Sequence, residues 1–431
     1  MKLILFAHTP PPHHGQSYMV QLMLEGFGGD RRQSKHRVAN PAGDALRAEC
    51  YHVNSRLSKK LEDIGDFRPW KFVLLLGYCL QAIWCRFRYR VTTLYYIPAP
   101  GKRSALYRDW LVMLLCRPFF KRLILHWHAA GMAKWLETAV QIRCRSFTFW
   151  MMKHADLSVV LSRYNRADAE KLVARQIKVV SNGIPDPCPH FDQEVLPRRR
   201  ARVLARRRLV SGQPLTEEEA RLAEADPQLI YVLYLAHCTR EKGLFDTLAG
   251  VVRANERLAE SRSPLSLRLL VTGNFVTSEE RRRFDEILAQ PGLSQSIQYL
   301  GFVFGPQKND LLRRADLFCF PTYYQNENQP VNLIEAMAFG LPILTTRWRS
   351  IPELFPPDYP GLVDVRCPQQ VASKLLSLPL QESGEGFRIL FQEQFTLSKH
   401  LAGLADALHS VESPQPAIEP QPTTPKAQSR F

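Results

Sequence analysis

Residues 318–346 read FCFPTYYQNENQPVNLIEAMAFGLPILTT. Leu317, Phe318 and Phe320 make an apolar run of strand length, and Pro321-Thr322 ends it. A polar loop follows, and Pro330 fits the first turn of a helix, where its missing N–H costs nothing. Glu335-Ala336-Met337-Ala338 continue that helix, Gly340 can stop it in the left-handed conformation, and Ile343–Thr345 form a second buried strand. Strand, loop, helix and strand make one βαβ unit of a parallel sheet, and such sheets bind ligands at the carboxyl ends of their strands. Glu327 and Glu335 stand at that end, eight positions apart.

A helix start leaves backbone N–H groups pointing outward, and these favour an anion such as a diphosphate. Carboxylates repel that anion, so Glu327 and Glu335 are placed to accept hydrogen bonds from sugar or ribose hydroxyls, with charge assistance. The plainer reading has Glu335 capping backbone amides and Glu327 as a solvated loop charge; spacing alone leaves both open.

Working outward, short apolar runs alternate with helical stretches in both halves: 3–7, 91–97, 123–127, 157–161 and 179–180, then 229–236, 267–271, 297–303, 317–320 and 343–345. This pattern predicts two doubly wound domains, and 431 residues suffice for two cores. The expected division is 1–186 as a Rossmann-like domain, 187–228 as a basic linker or helical insertion, and 229–385 as a second Rossmann-like domain. Residues 386–411 would form a helix able to pack back on the first domain, and 412–431, rich in proline, a disordered tail. The arginine run from Arg198 to Arg208 reads as a solvated charged helix.

Nine cysteines without a C-x-x-C pair suggest reduced thiols in a cytosolic protein, and the amino terminus has no signal-peptide pattern. Lys and Arg number 57 against 41 Asp and Glu, a net charge of +16 that favours polyanions or an anionic membrane surface. Arginines alternate with aromatics from Trp84 to Arg90, beside an apolar run (72–83) shorter than the roughly 20 residues of a membrane span. An interfacial helix with basic flanks and a buried helix with a solvated end are both open. No nucleic-acid motif accompanies the arginines, so a nucleic-acid partner is not expected.

Three further turns follow strands. In Pro11-Pro12-His13-His14-Gly15-Gln16-Ser17, Gly15 allows close backbone approach to a ligand and Ser17 could cap the next helix; an ordinary βα turn reads equally well. In Leu125-His126-Trp127-His128, alternation puts both histidines on one face, but no third ligand of convincing spacing follows and no metal site is assigned. In His237-Cys238-Thr239-Arg240-Glu241-Lys242-Gly243, a lysine beside glycine can reach a diphosphate as a point charge, or is a surface lysine.

These motifs together resemble retaining glycosyltransferases of family 4, which share the two-domain GT-B fold. Glu327 and Glu335 match that family's E-x7-E, followed here by Ala336-Met337-Ala338, Gly340 and Pro342. Pro330 stands where the family usually has a small residue, which shifts any phosphate contact to Val331 or Asn332. Gly15 falls within the family's P-P-x-x-G-G loop, with Gln16 in place of the second glycine. Lys242 and Gly243 match G-R-L-x-x-x-K-G, but His237 occupies the arginine position, leaving Arg240 or a protonated His237 to substitute. The resemblance implies that Glu327 holds the transferred sugar, Glu335 the ribose, and His128 orients the sugar, while Lys242, Arg240, the Gly15–Gln16 loop and the amides near Val331 and Asn332 receive the diphosphate.

The function so implied is transfer of a sugar from a nucleotide-sugar donor, with retained configuration, to a glycan or lipid-linked acceptor, as in bacterial cell-surface polysaccharide synthesis. No cofactor and no metal is expected, and no D-x-D pair occurs. The expected location is cytoplasmic, with a peripheral membrane position open. The rival reading is a non-catalytic scaffold of the same fold that binds polysaccharide or a membrane surface.

Overall fold

A computed structural model describes residues 1–12, 14–33, 48–57, 69–98, 100–224, 226–381 and 384–412. The proline-rich tail beyond 412 lies outside the described residues. Among the described residues, twelve strands form two sheets, all of whose pairings are parallel.

The first sheet has the order β2-β1-β3-β4-β5-β6 and the second β12-β11-β10-β7-β8-β9. Its strands are β1 (Lys2–Ala7), β2 (Glu49–Asn54), β3 (Thr93–Tyr96), β4 (Arg122–Trp127), β5 (Leu157–Val160) and β6 (Ile177–Val179); the second holds β7 (Leu229–Leu235), β8 (Ser266–Thr272), β9 (Ile297–Tyr299), β10 (Leu317–Phe320), β11 (Ile343–Thr346) and β12 (Leu362–Val363). Each order reverses once, between β1 and β3 and between β7 and β10. Loops leaving two strands at such a reversal splay apart and open a crevice for ligands. The loops after β7 and β10 carry Lys242 and Glu327.

Sequence patterning misses β2 and β12. β2, ECYHVN, mixes polar with apolar residues although Cys50 to Val53 are buried; the His52 ring bonds the Ala7 carbonyl at 2.8 Å, which satisfies a polar group inside the sheet. β12 has two residues, too few for a period.

The helices that matter for the site are α1 (Gly15–Gly26), α2 (Pro69–Arg88), α3 (Arg103–Cys116), α4 (Ile142–Met152), α5 (Leu196–Val210), α6 (Leu244–Glu260), α7 (Gly305–Arg314), α8 (Val331–Ala338), α9 (Glu385–Gln394) and α10 (Leu397–Glu412). Two helices, α9 and α10, stand where one was expected. α10 lies on the first sheet: Leu401, Leu404 and Leu408 are buried there, each contributing about 1.5–3 kcal/mol. α1 packs so closely on it that a Cβ at Gly26 would sit 2.4 Å from Leu401 Cδ1.

The arginine-rich α5 corrects the expectation of a solvated helix. Arg202 and Arg206 are buried and clasp the equally buried Asp316, with Nε to Oδ1 at 2.8 Å and Nη2 to Oδ2 at 2.7 Å. Arg199, also buried, donates to the Phe339 and Gly340 carbonyls at the end of α8. These positions, spaced by three and four, share one helical face, so the charged stripe is the packed one. Burial works against ionising Asp316, but Arg206 and Arg202 outweigh it and hold its carboxyl below the usual range.

All nine cysteines are free, and Cys144 and Cys367 are partly exposed. Among the described residues no helix is long and apolar enough to cross a membrane.

Candidate active site

A cleft of about 1840 Å³ runs between the carboxyl edges of the two sheets. A single drug-sized ligand fills about 300–1,000 Å³, so there is room for two substrates.

On the second side, the turn from β7 to α6 presents Lys242. Buried Tyr234 on β7 donates its hydroxyl to the His237 carbonyl at 2.9 Å and the Lys242 carbonyl at 3.3 Å, pinning the turn from below. Gly243 has φ +81°, and a Cβ there would lie 2.3 Å from the Pro321 carbonyl oxygen, so only glycine lets this turn approach the end of β10. Lys242 Nζ then meets Glu327 Oε2 at 2.6 Å and lies 4.6 Å from the centre of the Tyr324 ring. Glu327 Oε2 also accepts from Thr322 Oγ1 at 3.0 Å. Among the described residues its Oε1 has no hydrogen-bond partner.

Pro330 is the N-cap of α8, one residue before the first turn in which patterning places it, with φ −64° and ψ 123°. The first amides of the helix are therefore those of Val331 and Asn332, the two residues named above for a phosphate contact. The Asn332 side chain is engaged elsewhere, donating to the Leu235 carbonyl at 2.9 Å. Glu335, one turn on, pairs through Oε1 with Lys308 Nζ of α7 at 2.5 Å. Both carboxylates are nearly buried, and each has its own lysine.

On the first side, Gly15 opens α1, and a Cβ there would stand 3.6 Å from Val331 Cγ2, so the Gly15 loop and the start of α8 are neighbours. Gln16 lines the cleft beside them. The cap of α1 is His14, whereas Ser17 is buried three residues in, its hydroxyl donating to the Pro12 carbonyl at 2.8 Å. Ser17 thus holds the loop's shape and also caps α1 from its third position, its hydroxyl accepting the His14 amide at 3.2 Å in a capping box.

His128 follows β4 and lines the cleft with its ring centre 4.2 Å from that of His126. His126 is fully buried behind it and bonded through Nδ1 to the Tyr95 hydroxyl at 2.6 Å. Burial, then His400 and His14, lower the His128 pKa to about 3, so its ring is neutral at any physiological pH and serves as a hydrogen-bond donor and acceptor.

Two expectations fail. Arg240 is exposed and does not line the cleft; its backbone amide donates to Glu280 Oε1 at 2.8 Å, and its charge acts on Asp246 and Tyr323. His237 does line the cleft, but burial and then Lys242 lower its pKa, so a protonated imidazole does not replace the missing arginine. Lys308, which patterning does not single out, brings a second cation to the pocket.

The turn Ser181–Ile184, given no role from sequence, clamps the site. The Asn182 amide donates to Gln329 Oε1 at 2.5 Å, and Asn182 Nδ2 to the Gln329 carbonyl at 3.1 Å. Asn328 Nδ2 donates to Asn165 Oδ1 at 2.5 Å and to the Trp127 carbonyl at 3.4 Å. Residues 328–329 separate Glu327 from the α8 amides, so the first half fixes the loop that carries the second half's ligands. No group of three or more His, Cys, Asp or Glu able to hold a metal occurs among the described residues.

Residues 227–379 match the profile of the family described as glycosyl transferases group 1. A curated relative, the putative colanic acid biosynthesis glycosyltransferase WcaL of Escherichia coli K12, is 27% identical over 179 residues. That match covers 40% of this chain and 42% of the relative's length. Among solved structures, Anabaena Alr3699/HepE in complex with UDP and glucose aligns with a TM-score of 0.60 and 13% identity over 94% of this chain and 99% of that one. Sucrose-phosphate synthase from Thermosynechococcus elongatus aligns at 0.62 and 16%, over 96% and 99%. The two facing parallel sheets are the GT-B fold.

Proposed function

We propose that the chain is a group 1 glycosyltransferase that takes a sugar from a nucleoside diphosphate donor and passes it to a glycan or lipid-linked acceptor in surface polysaccharide synthesis. One observation carries the reading: Lys242, Lys308, Glu327, Glu335 and the opening amides of α8 converge at the end of β7 and β10, facing His128 and Gly15 across one cleft. The profile match over 227–379 and the likeness to WcaL support it over a silent scaffold. The donor belongs to the 229–385 domain, the acceptor to the 1–186 domain.

In the step we envisage, the sugar–phosphate bond lengthens and negative charge grows on the departing diphosphate, which Lys242 and the Val331 and Asn332 amides stabilise. Glu327 and neutral His128 hold sugar hydroxyls, and Glu335 holds the ribose. The leaving phosphate accepts the acceptor's proton on the face it vacates, so configuration is retained without a protein nucleophile, metal or cofactor. A cytoplasmic location with α2 against an anionic membrane surface fits the exposed aromatics of that helix, Trp70, Phe72, Trp84 and Phe87 among them.

Thermal-shift measurement with the nucleoside diphosphates tests the donor, uridine diphosphate first because the Anabaena neighbour binds UDP. Stabilisation by one base, with donor hydrolysis abolished in Glu335→Gln and Lys242→Ala, is expected. Absence of stabilisation by every base refutes the proposal, and the anomeric coupling of the product in proton NMR tests retention.

A further inference from the structure

The cleft is longer than a donor requires. Beyond His8 and His128 an arm continues between α2 and α3, walled by Phe72, Leu75, Ala105, Tyr107 and Leu111. Three cations, Lys71, Lys102 and Arg108, line the same arm. Behind them, Arg56 donates to the Pro10 carbonyl at 3.2 Å while its buried Nε has no partner among the described residues. Arg108 is held by Asp109, whose Oδ1 takes its Nε at 3.2 Å, Nη2 at 3.1 Å and the Tyr96 hydroxyl at 2.6 Å.

The arm does not end blind. Phe72 and Tyr107 line it and are also 48% and 51% exposed, so its mouth opens on the outer surface. From Tyr107 a chain of rings continues outward, to Trp110 at 5.2 Å, Phe147 of α4 at 4.9 Å and Trp150 at 5.8 Å. Trp150 is itself mostly exposed. Residues 69–121 hold nine Lys and Arg and a single acid, the buried Asp109. Cations lining the arm and apolar rings continuing from it to the surface match a ligand with an anionic head and a long apolar tail. A free glycan would leave the rings wet, and an anionic lipid surface alone would leave unfilled the arm that these cations line.

We infer that this arm is the acceptor site and takes a lipid-linked glycan, its diphosphate among Lys71, Lys102 and Arg108 and its lipid leaving between α2 and α3 along the aromatic face. The word acceptor rests on the glycosyltransferase reading; the lipid diphosphate site does not.

The test titrates the full-length chain with geranylgeranyl diphosphate, geranylgeraniol or inorganic diphosphate, reading tryptophan fluorescence with uridine diphosphate present to occupy the donor half. Geranylgeranyl diphosphate should bind at least tenfold more tightly than either fragment. Ala105→Trp, which fills the arm, and Lys102→Glu, which alters only an exposed charge, should each weaken it at least tenfold and leave the uridine diphosphate Kd within twofold. Equal binding of the alcohol would show plain adsorption of apolar chains, and equal binding of inorganic diphosphate a simple anion pocket; either overturns the inference. Binding unaltered in both variants overturns it as well. If the lipid diphosphate binds as expected while no nucleoside diphosphate does, the site stands and the transferase reading falls.

Discussion

Gly243→Ala and Gly292→Ala place the same methyl at the same backbone angle, φ +81°, in two different surroundings. At Gly292, which opens a short helix outside the cleft lining, nothing lies within 4 Å of the added Cβ. The cost there is conformational alone, about 1–2 kcal/mol. At Gly243 the Cβ would stand 2.3 Å from the Pro321 carbonyl oxygen and 2.9 Å from Pro321 Cγ, where real contacts do not fall below 3.0 Å. The turn must therefore retreat by about 0.7 Å from the end of β10, adding a further 1–3 kcal/mol of the kind that overpacking brings. That retreat carries Lys242 away from Glu327 and from the proposed place of the diphosphate, and misplacement by about 1 Å costs on the order of a hundredfold in rate. Urea unfolding gives the stability of each variant, and calorimetric titration with uridine diphosphate plus donor turnover gives function. Gly292→Ala should lose stability only; Gly243→Ala should lose more stability and at least tenfold in turnover. Equal losses in the two variants, or unchanged turnover in Gly243→Ala, would refute the argument that close approach of this turn builds the site.

Asp316→Asn leaves Arg202 and Arg206 buried without their counterion and should cost about 3–5 kcal/mol in urea unfolding, with nucleotide affinity little changed in the folded fraction. Because the Asp316 carboxyl is depressed in the folded state, its contribution is complete above the ordinary carboxylate range and is lost as pH falls through the folded value; the variant should flatten the acid limb of a stability–pH curve. Burial lowers the pKa of His8 and His400 to about 4 and of His128 to about 3, from 6.5, so stability should fall as pH drops from about 6.5 toward 4, while donor affinity stays level from pH 6 to 8. Histidine ring signals titrating near 6.5 at these positions would contradict this. Lys308→Ala strips Glu335 of its partner and the pocket of a cation; uridine diphosphate should bind about tenfold more weakly, and equal affinity would place Lys308 outside the donor site.

The proposed donor half is readable because the groups assigned to it sit within one βαβ unit: Glu327, the α8 amides and Glu335 span nine residues, so local spacing already fixes which end of the strand they share. Lys242 is legible for the same reason, as the residue beside a glycine in a strand-to-helix turn. What escapes is whatever depends on a distant partner. Lys308 reads as one more charge on an exposed helix until the fold sets it beside Glu335. The α5 arginines read as solvent-facing because Asp316, which makes their face the inner one, lies more than a hundred positions away. Arg240 fails in the opposite sense: composition makes it a fair substitute for the missing arginine, but its place in the turn points its charge toward Asp246. The clamp of Asn182 on Gln329 joins two loops that each look like plain turn chemistry.

On the proposed function, the pairing of each carboxylate with a lysine sets how a nucleotide-sugar donor would enter. Lys242 and Lys308 balance Glu327 and Glu335, so the site as it stands offers no excess positive charge to a diphosphate. An incoming diphosphate competes for Lys242, and the neutral α8 amides add their partial positive charge without a partner to lose. Moving Lys242 toward the phosphate strips Glu327 of a charge-assisted bond, which a buried carboxylate must replace. The sugar's hydroxyls are the replacement that arrives in the same molecule. A nucleoside diphosphate alone makes only the first exchange, whereas the complete nucleotide sugar makes both. The loop between Glu327 and α8 is meanwhile held from the other side by Asn182 and Asn165. The exchange of partners can therefore proceed by side-chain movement about a fixed backbone, with Thr322 keeping Glu327 in place while its lysine leaves.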